Sequence, residues 1–358
     1  MSPTQLPLLS SNRTARIWLW MLAVAGGLQP LTASCQTTAQ QPAPSQQPPA
    51  ATTLRPNPPV VIEGAPYTPD EPVSGELSIV GSTAMQQLAA LWMDDFRQIH
   101  PDAKATIDCN GSEGTFKKLE AGKNTLGLVS RDITDEELQR WSQESGERLI
   151  SINVGYDVLA LIVHPDNPLR VLGWNAKLGS PLTLAGDQRA TKWGELGVPA
   201  PLADEPIRFH VLGSTHALRR YANSALLEGV DAGDRIQEHE TQVDVLDAVA
   251  SQPNGLGLVS AHRAMAKKVR PIRLAVSASS VVSPLDPHAI DRGYPLVRKL
   301  SLVLIAPNPD AKNPLMEEFL AFILSRSGQE VVCKDGFLPL DGSELSMQQE
   351  KLGWSTFK

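Results

Sequence analysis

The chain has 358 residues, 42% of them hydrophobic, 5% aromatic, and a formal net charge of −7. That supply of apolar residues fills one large core or two medium ones, while the acidic balance argues against a nucleic-acid surface. Its three cysteines form no CxxC motif or His/Cys cluster, which argues against metal ligation.

Arg13 and Arg16 precede an apolar run from Ile17 to Leu28, followed by small residues up to Cys35. These are the zones of a secretory signal over 1–34, and the run is too short for a membrane span, which needs roughly twenty residues. Leu31-Thr32-Ala33-Ser34-Cys35 resembles a bacterial lipobox with its leucine displaced by one place. The expectation is a lipid-bearing Cys35 and an extracytoplasmic protein anchored to a bacterial membrane; the alternative is ordinary signal cleavage nearby. Residues 35–74, with Gln40-Gln41-Pro42-Ala43-Pro44 and Asn57-Pro58-Pro59, read as a Pro/Gln-rich tether. Arg13 and Arg16 are the only charged side chains before Cys35, so cleavage makes the protein more acidic. An anion site must then rely on local donors instead of the overall field.

From Glu76 the pattern alternates strand and helix. Leu77–Val80 is a predicted strand, and Ala84–His100 a helix with Met85, Leu88, Leu91 and Trp92 on one face. Ala105–Cys109 is a second strand, Gly114–Ala121 a short helix, Thr125–Ser130 a strand and Thr134–Ser145 a helix. Three turns join these elements: Gly81-Ser82-Thr83-Ala84-Met85, Gly111-Ser112-Glu113-Gly114-Thr115 and Leu128-Val129-Ser130-Arg131-Asp132. Turns rich in Ser, Thr and Gly that open helices offer unpaired N–H groups at the positive end of the helix dipole, which together suit an oxyanion. Such turns also serve simply as caps, so the weight lies in there being three.

Val158–Val163 is the next strand, followed by a second α/β stretch with Val211-Leu212-Gly213-Ser214-Thr215 before a helix and Gly255–Val259 as a strand. Tyr294-Pro295 introduces the apolar run Leu300–Ala306, and a helix runs from Pro314 to about Ser325. The fold class is α/β, with two lobes and a chain that crosses twice between them. Cys109 and Cys333 either pair, as an oxidising compartment permits, or remain two buried thiols.

In order, these segments resemble the phosphate-binding proteins that serve ABC importers, the PstS type, over roughly residues 76–342. The resemblance rests on the three turns, on Ser130-Arg131-Asp132-Ile133-Thr134-Asp135-Glu136-Glu137-Leu138, and on Trp193-Gly194-Glu195-Leu196. Tyr294-Pro295-Leu296-Val297-Arg298 matches a return crossing, and Ser327-Gly328-Gln329-Glu330-Val331-Val332 with Gly336-Phe337-Leu338-Pro339-Leu340 a C-terminal signature. It implies a type II periplasmic binding protein fold with an inter-lobe cleft: one lobe from 75–157 and 298–358, the other from 158–297. It also implies a monomeric receptor that closes on inorganic phosphate or a related oxyanion and passes it to an ABC permease, without enzymatic activity or cofactor. Carried over by position, Ser82, Thr83, the N–H of Ala84, Ser112 and Ser130 bind from the first lobe, and Gly213, Ser214 and Thr215 from the second.

The chain departs from the family at two positions. Arg131 stands where phosphate-binding members commonly have an aspartate, although some branches carry Ser-Arg. Phe209 stands where the family places an arginine upstream of its second-lobe turn, which here reads Gly-Ser-Thr in place of Ser-Gly-Thr. The expectation is that Arg131 supplies the missing charge; the alternative is an ion pair with Asp132, Asp135 or Glu136. His216 either donates to the ligand or is an ordinary solvated or core histidine, while Trp92 and Trp193 belong to the core. Two other classes compete. A phosphate-ester hydrolase would need a base beside Ser82, Ser112 or Ser214, and an oxyanion sensor or structural protein would keep the fold with an altered pocket.

Overall fold

The computed structural model describes residues 61–111, 115–119, 124–175, 180, 182, 189–227, 235–265, 268–306 and 313–354. The signal segment, Cys35, most of the tether and Ser112 lie outside the described residues.

In the first lobe, β1 (Gly75–Gly81) runs parallel between β2 (Ala103–Asp108) and β3 (Thr125–Val129). The connections carry α1 (Gln86–Ile99) and α2 (Thr115–Leu119). Leu88, Ala89, Trp92, Met93 and Phe96 recur at helical spacing and are the buried stripe of α1. All five β3 residues are buried, as in a strand covered on both faces. The helix α3 (Asp135–Ser145) begins at a Thr134 cap and carries Asp135, Glu136 and Glu137 in its first turn, where the dipole favours negative charge.

The chain crosses between lobes on β4 (Leu149–Val163), whose first part pairs antiparallel with the late strand Val297–Ile305. Its last part pairs with Gly255–Ser260 in the other lobe. The predicted strand began only at Val158, because Asn153, Tyr156 and Asp157 interrupt the apolar pattern.

The second lobe adds β5 (Val171–Gly173), β6 (Arg208–Leu212), α4 (Ala217–Ala222), β7 (Ile236–His239), α5 (Gln242–Ser251), β8 (Gly255–Ser260) and α6 (Ala261–Ala264). β6 lies parallel between β7 and β8. β9 (Arg270–Pro271) pairs with β4, whereas β10 (Arg273–Ser277), β11 (Ser280–Val282) and β5 form a separate sheet. The chain returns on β12 (Val297–Ile305) into α7 (Pro314–Ile323), α8 (Arg326–Lys334) and α9 (Gly342–Lys351). The predicted final helix is thus followed by two more; Cys333 lies on α8.

One apolar cluster comes from residues 77–154 with 300–352 and contains Trp92, Phe96 and Phe319. Another comes from 158–296 and contains Trp193 and Phe209. Trp92 and Trp193 are core residues, each with its indole N–H donated to a carbonyl, of Gly328 and Asn254 respectively. Cys109 and Cys333 are free, and burial pushes each thiol up to about 11.

Candidate functional site

A cavity of about 340 Å³ lies between the carboxyl ends of the first-lobe strands and the helix starts of the second lobe. Its volume is at the small end of ligand pockets, roughly 300–1,000 Å³, which suits a compact ligand. From the first lobe it is lined by Ser82, Thr83, Ala84 and Ser130; from the second by His216, Ala217, Glu240, Thr241, Gln242 and Arg263, among others. Arg298, on the return crossing, also lines it.

Ser82 caps the short 3₁₀ turn Thr83–Met85, its Oγ accepting the Ala84 N–H at 3.3 Å. Its own N–H donates to Leu128 O at 2.9 Å, which docks the β1 turn onto β3. The Ser82 and Ser130 hydroxyls meet at 2.7 Å. Gly81 makes this approach possible: its φ is +129°, and a Cβ there would lie 2.3 Å from Leu128 O.

Arg298 and Asp157 are cross-strand partners on β12 and β4. Both side chains are buried. Arg298 donates from Nε and Nη2 to Asp157 Oδ2 at 2.9 and 2.7 Å, and Ser260 Oγ donates to the same oxygen at 2.8 Å. Arg298 Nη1 reaches Ser130 Oγ at 3.3 Å, and the Ser260 N–H donates to Gln242 Oε1 at 2.6 Å. A chain of hydrogen bonds therefore runs Gln242–Ser260–Asp157–Arg298–Ser130–Ser82, from one lobe to the other through the crossing strands. The ionisable side chains lining the cavity, His216 aside, are Arg298, Arg263 and Glu240, so two guanidinium groups face one carboxylate. Asp157 beneath the lining offsets Arg298, so in a protein of charge −7 the cavity offers an anion directed guanidinium donors without a net positive charge.

Of the residues expected to bind, Ser82, Thr83, Ala84 and Ser130 are brought together. Arg131 is not among the lining residues. Its Nη1 and Nη2 donate to the two oxygens of Glu137 at 2.7 and 2.5 Å, and Nη1 also donates to Asp132 O. The Trp141 ring lies 5.9 Å from the guanidinium carbon. The ion pair therefore goes to Glu137, the residue next to the last of the acidic residues weighed from the sequence. Gly213 is half-buried, Ser214 and Thr215 are exposed, and the turn lines the cavity with its flanks Leu212 and His216 instead. Phe209 is wholly in the second core.

Sequence reasoning missed Arg298, Arg263, Gln242 and Asp157. Two of them left a signal: Asp157 and Arg298 are charges at the edges of long apolar strand runs, a pattern that demands a buried partner. Among the described residues, no group of three or more His, Cys, Asp or Glu side chains is placed to hold a metal ion. Neither Ser82 nor Ser130 shows a hydrogen bond to a histidine or carboxylate that would activate its hydroxyl.

Residues 66–327 match the family model of the PBP superfamily domain. The phosphate-binding protein PstS of Pseudomonas aeruginosa is 31% identical over 286 residues, covering 78% of this chain and 88% of that protein. An ABC-type phosphate transport receptor from Vibrio cholerae superposes with a TM-score of 0.57 at 20% identity, over 74% of this chain and 100% of that one. A Clostridium perfringens protein crystallised with bound phosphate gives 0.55 at 22% identity, over 75% and 100%. These structures share the two-lobed α/β fold, and together with the sequence match they place the chain in the PBP superfamily as a member of the PstS family of phosphate-binding proteins.

Proposed function

We propose that this protein captures inorganic phosphate, or an oxyanion of the same chemistry, in the cavity between its lobes and delivers it to an ABC permease outside the cytoplasm. The observation that carries this reading is the convergence of the Ser82 and Ser130 hydroxyls and the Thr83–Met85 turn on a cavity lined by two guanidinium groups. Hydroxyl and N–H donors around a tetrahedral anion form short charge-assisted bonds that need no covalent chemistry. Thr83, the Ala84 N–H, Ser82 and Ser130 are the first-lobe donors, and the cavity flanks of the Gly213-Ser214-Thr215 turn close from the second lobe.

The chain acts as a monomeric receptor, not as an enzyme. Residues 1–34 direct export, Cys35 carries the lipid, and the tether holds the domain near the membrane. The lobes consist of 75–157 with 298–358 and of 158–297; the segregation of the two apolar clusters supports that division, and closure bends β4 and β12.

The test is calorimetric titration of residues 61–358, unfolded and refolded to strip carried-over ligand, with phosphate and then with sulfate. Tight phosphate binding is expected; binding of neither anion overturns the proposal and leaves a sensor or structural role on the same fold.

A further inference from the structure

We infer that Arg298, held by Asp157 at the junction of the two crossing strands, supplies the guanidinium donors of the anion site, in place of both Arg131 and the arginine that Phe209 replaces. The inference rests on the anion-capture reading and assigns those donors to one residue.

Position at the cavity separates the two arginines, and the donors left on Arg298 make it usable. A guanidinium has five N–H donors. Arg131 spends three of them on Glu137 and the Asp132 carbonyl, lies against Trp141, and is not among the residues that line the cavity. Arg298 lines the cavity, and its strong bonds to Asp157 use one donor on Nε and one on Nη2. Among the described residues, Nη1 is engaged by contacts of 3.3 and 3.4 Å, both to Ser130. Both terminal nitrogens therefore keep capacity to donate, which is the two-point geometry an oxyanion accepts.

Asp157 explains how such a cation survives under a cavity floor. An unpaired buried guanidinium is prohibitively costly, whereas a two-point pair with further hydrogen bonds is tolerated. The carboxylate receives Nε, Nη2 and the Ser260 hydroxyl on one oxygen, which fixes the plane of the guanidinium. The floor is neutral as a pair, so the anion is held through directed hydrogen bonds and not by a bare positive charge, as capture followed by release requires.

Arg298 and Asp157 face each other on the two strands that connect the lobes, so these donors belong to the crossing itself and not to either lobe alone.

The test uses residues 61–358 carrying Arg131→Ala, Arg298→Lys, or the paired change Arg298→Met with Asp157→Leu. The paired change removes both buried charges at similar volume, so the domain folds and the melting temperature stays near that of the parent. Expected results are phosphate affinity within about threefold of the parent for Arg131→Ala, as for a residue outside the binding contacts. A loss of about 100-fold or more is expected for the paired change, as for a desolvated charge contact, with Arg298→Lys between them because it keeps the charge without the fork. Parent-like binding by the folded paired variant, or loss of binding in Arg131→Ala, overturns the assignment alone. Absence of phosphate binding in the parent overturns the reading on which it rests.

Discussion

The hydroxyls of Ser82 and Ser130 lie 2.7 Å apart across 48 residues of sequence. Parallel pairing of β1 with β3 places Gly81 opposite Leu128, which brings the two strand ends to one point. Both side chains are buried at the cavity floor, and Arg298 continues the bond chain from Ser130. Replacing Ser130 with Ala removes a hydroxyl from the cavity lining, the one proposed to meet the anion, together with the partner of Ser82 Oγ. Phosphate affinity should fall by about tenfold or more, as for a hydrogen bond to a charged group, with little change in the melting temperature. An affinity equal to that of the parent in calorimetry would remove Ser130 from the site.

Gly81 is the backbone condition for that meeting. At φ +129° and with Leu128 O 2.3 Å from the position of a Cβ, Gly81→Ala must displace the strand end. Strain of this kind costs about 2–4 kcal/mol. Urea unfolding should show that loss, accompanied by weakened phosphate binding; an alanine variant of parental stability would mean the turn adapts freely.

The Arg131–Glu137 pair should act on stability. The Arg131 hydrogen bond holds the Glu137 carboxyl below the usual carboxylate range. A depressed acid contributes stability above its unfolded pKa, near 4.3, and loses it as pH falls through the lower folded value. Arg131→Ala should destabilise the protein by about 1 kcal/mol at neutral pH, with the difference from the parent shrinking toward pH 3. A constant difference across that range would show that packing on Trp141 dominates.

Asp335 has the opposite sign. It ends α8, is 9% exposed, and burial pushes its carboxyl up to about 6, with Asp157 adding to the rise and Arg263 opposing it. A raised acid contributes stability below its unfolded pKa, near 3.9, and loses it as pH rises through the folded value. Asp335→Asn should therefore stabilise the protein by up to about 3 kcal/mol above pH 7, and by little at pH 3.5. Melting curves of the two proteins at both pH values check this; a gain that does not grow with pH would refute it.

How much of this was legible in the sequence depends on where its signal resided. The parallel units β1–α1–β2 and β3–α3 show in period and caps, because Leu88, Trp92 and Phe96 recur at helical spacing and Thr134 precedes three acidic residues. The turn residues Ser82 and Ser130 were visible for the same reason. The second-lobe wall was not: Gln242 and Arg263 reach the cavity from helix starts whose sequences look like ordinary caps. Arg131 reads as a binding residue from its position after Ser130 in the chain, whereas its hydrogen bonds to Glu137 show only in the fold. Arg298 and Asp157 become intelligible only when the register of β12 on β4 is known, since nothing local pairs residues that far apart.

The segment 61–74 shows the same limit from the other side. Read as the end of a polar tether, it has no regular secondary structure, yet it is fastened to the first lobe. The Arg326 N–H donates to Ala65 O at 2.8 Å, the Tyr67 N–H to Ser327 Oγ at 3.1 Å, and the Gly342 N–H to Glu63 at 2.7 Å. Tyr67 packs edge-on against Phe322, and its hydroxyl donates to Glu318. His100 Nδ1 accepts the Val73 N–H at 3.1 Å, so its proton is on Nε2, which faces the Tyr67 oxygen at 2.9 Å. That arrangement needs a neutral imidazole, and burial lowers its pKa accordingly. A depressed histidine contributes stability above its unfolded pKa, near 6.5, and loses it as pH falls. A chain beginning at residue 75 should be less stable than one beginning at 61 by about 2 kcal/mol at pH 8, the scale of a few buried hydrogen bonds. The gap should narrow as the pH falls below 6, because protonated His100 can no longer accept from Val73. Equal stability of the two chains at pH 8 would show that the segment merely rests on the lobe, whereas a gap independent of pH would assign its grip to Tyr67 packing instead of to the imidazole.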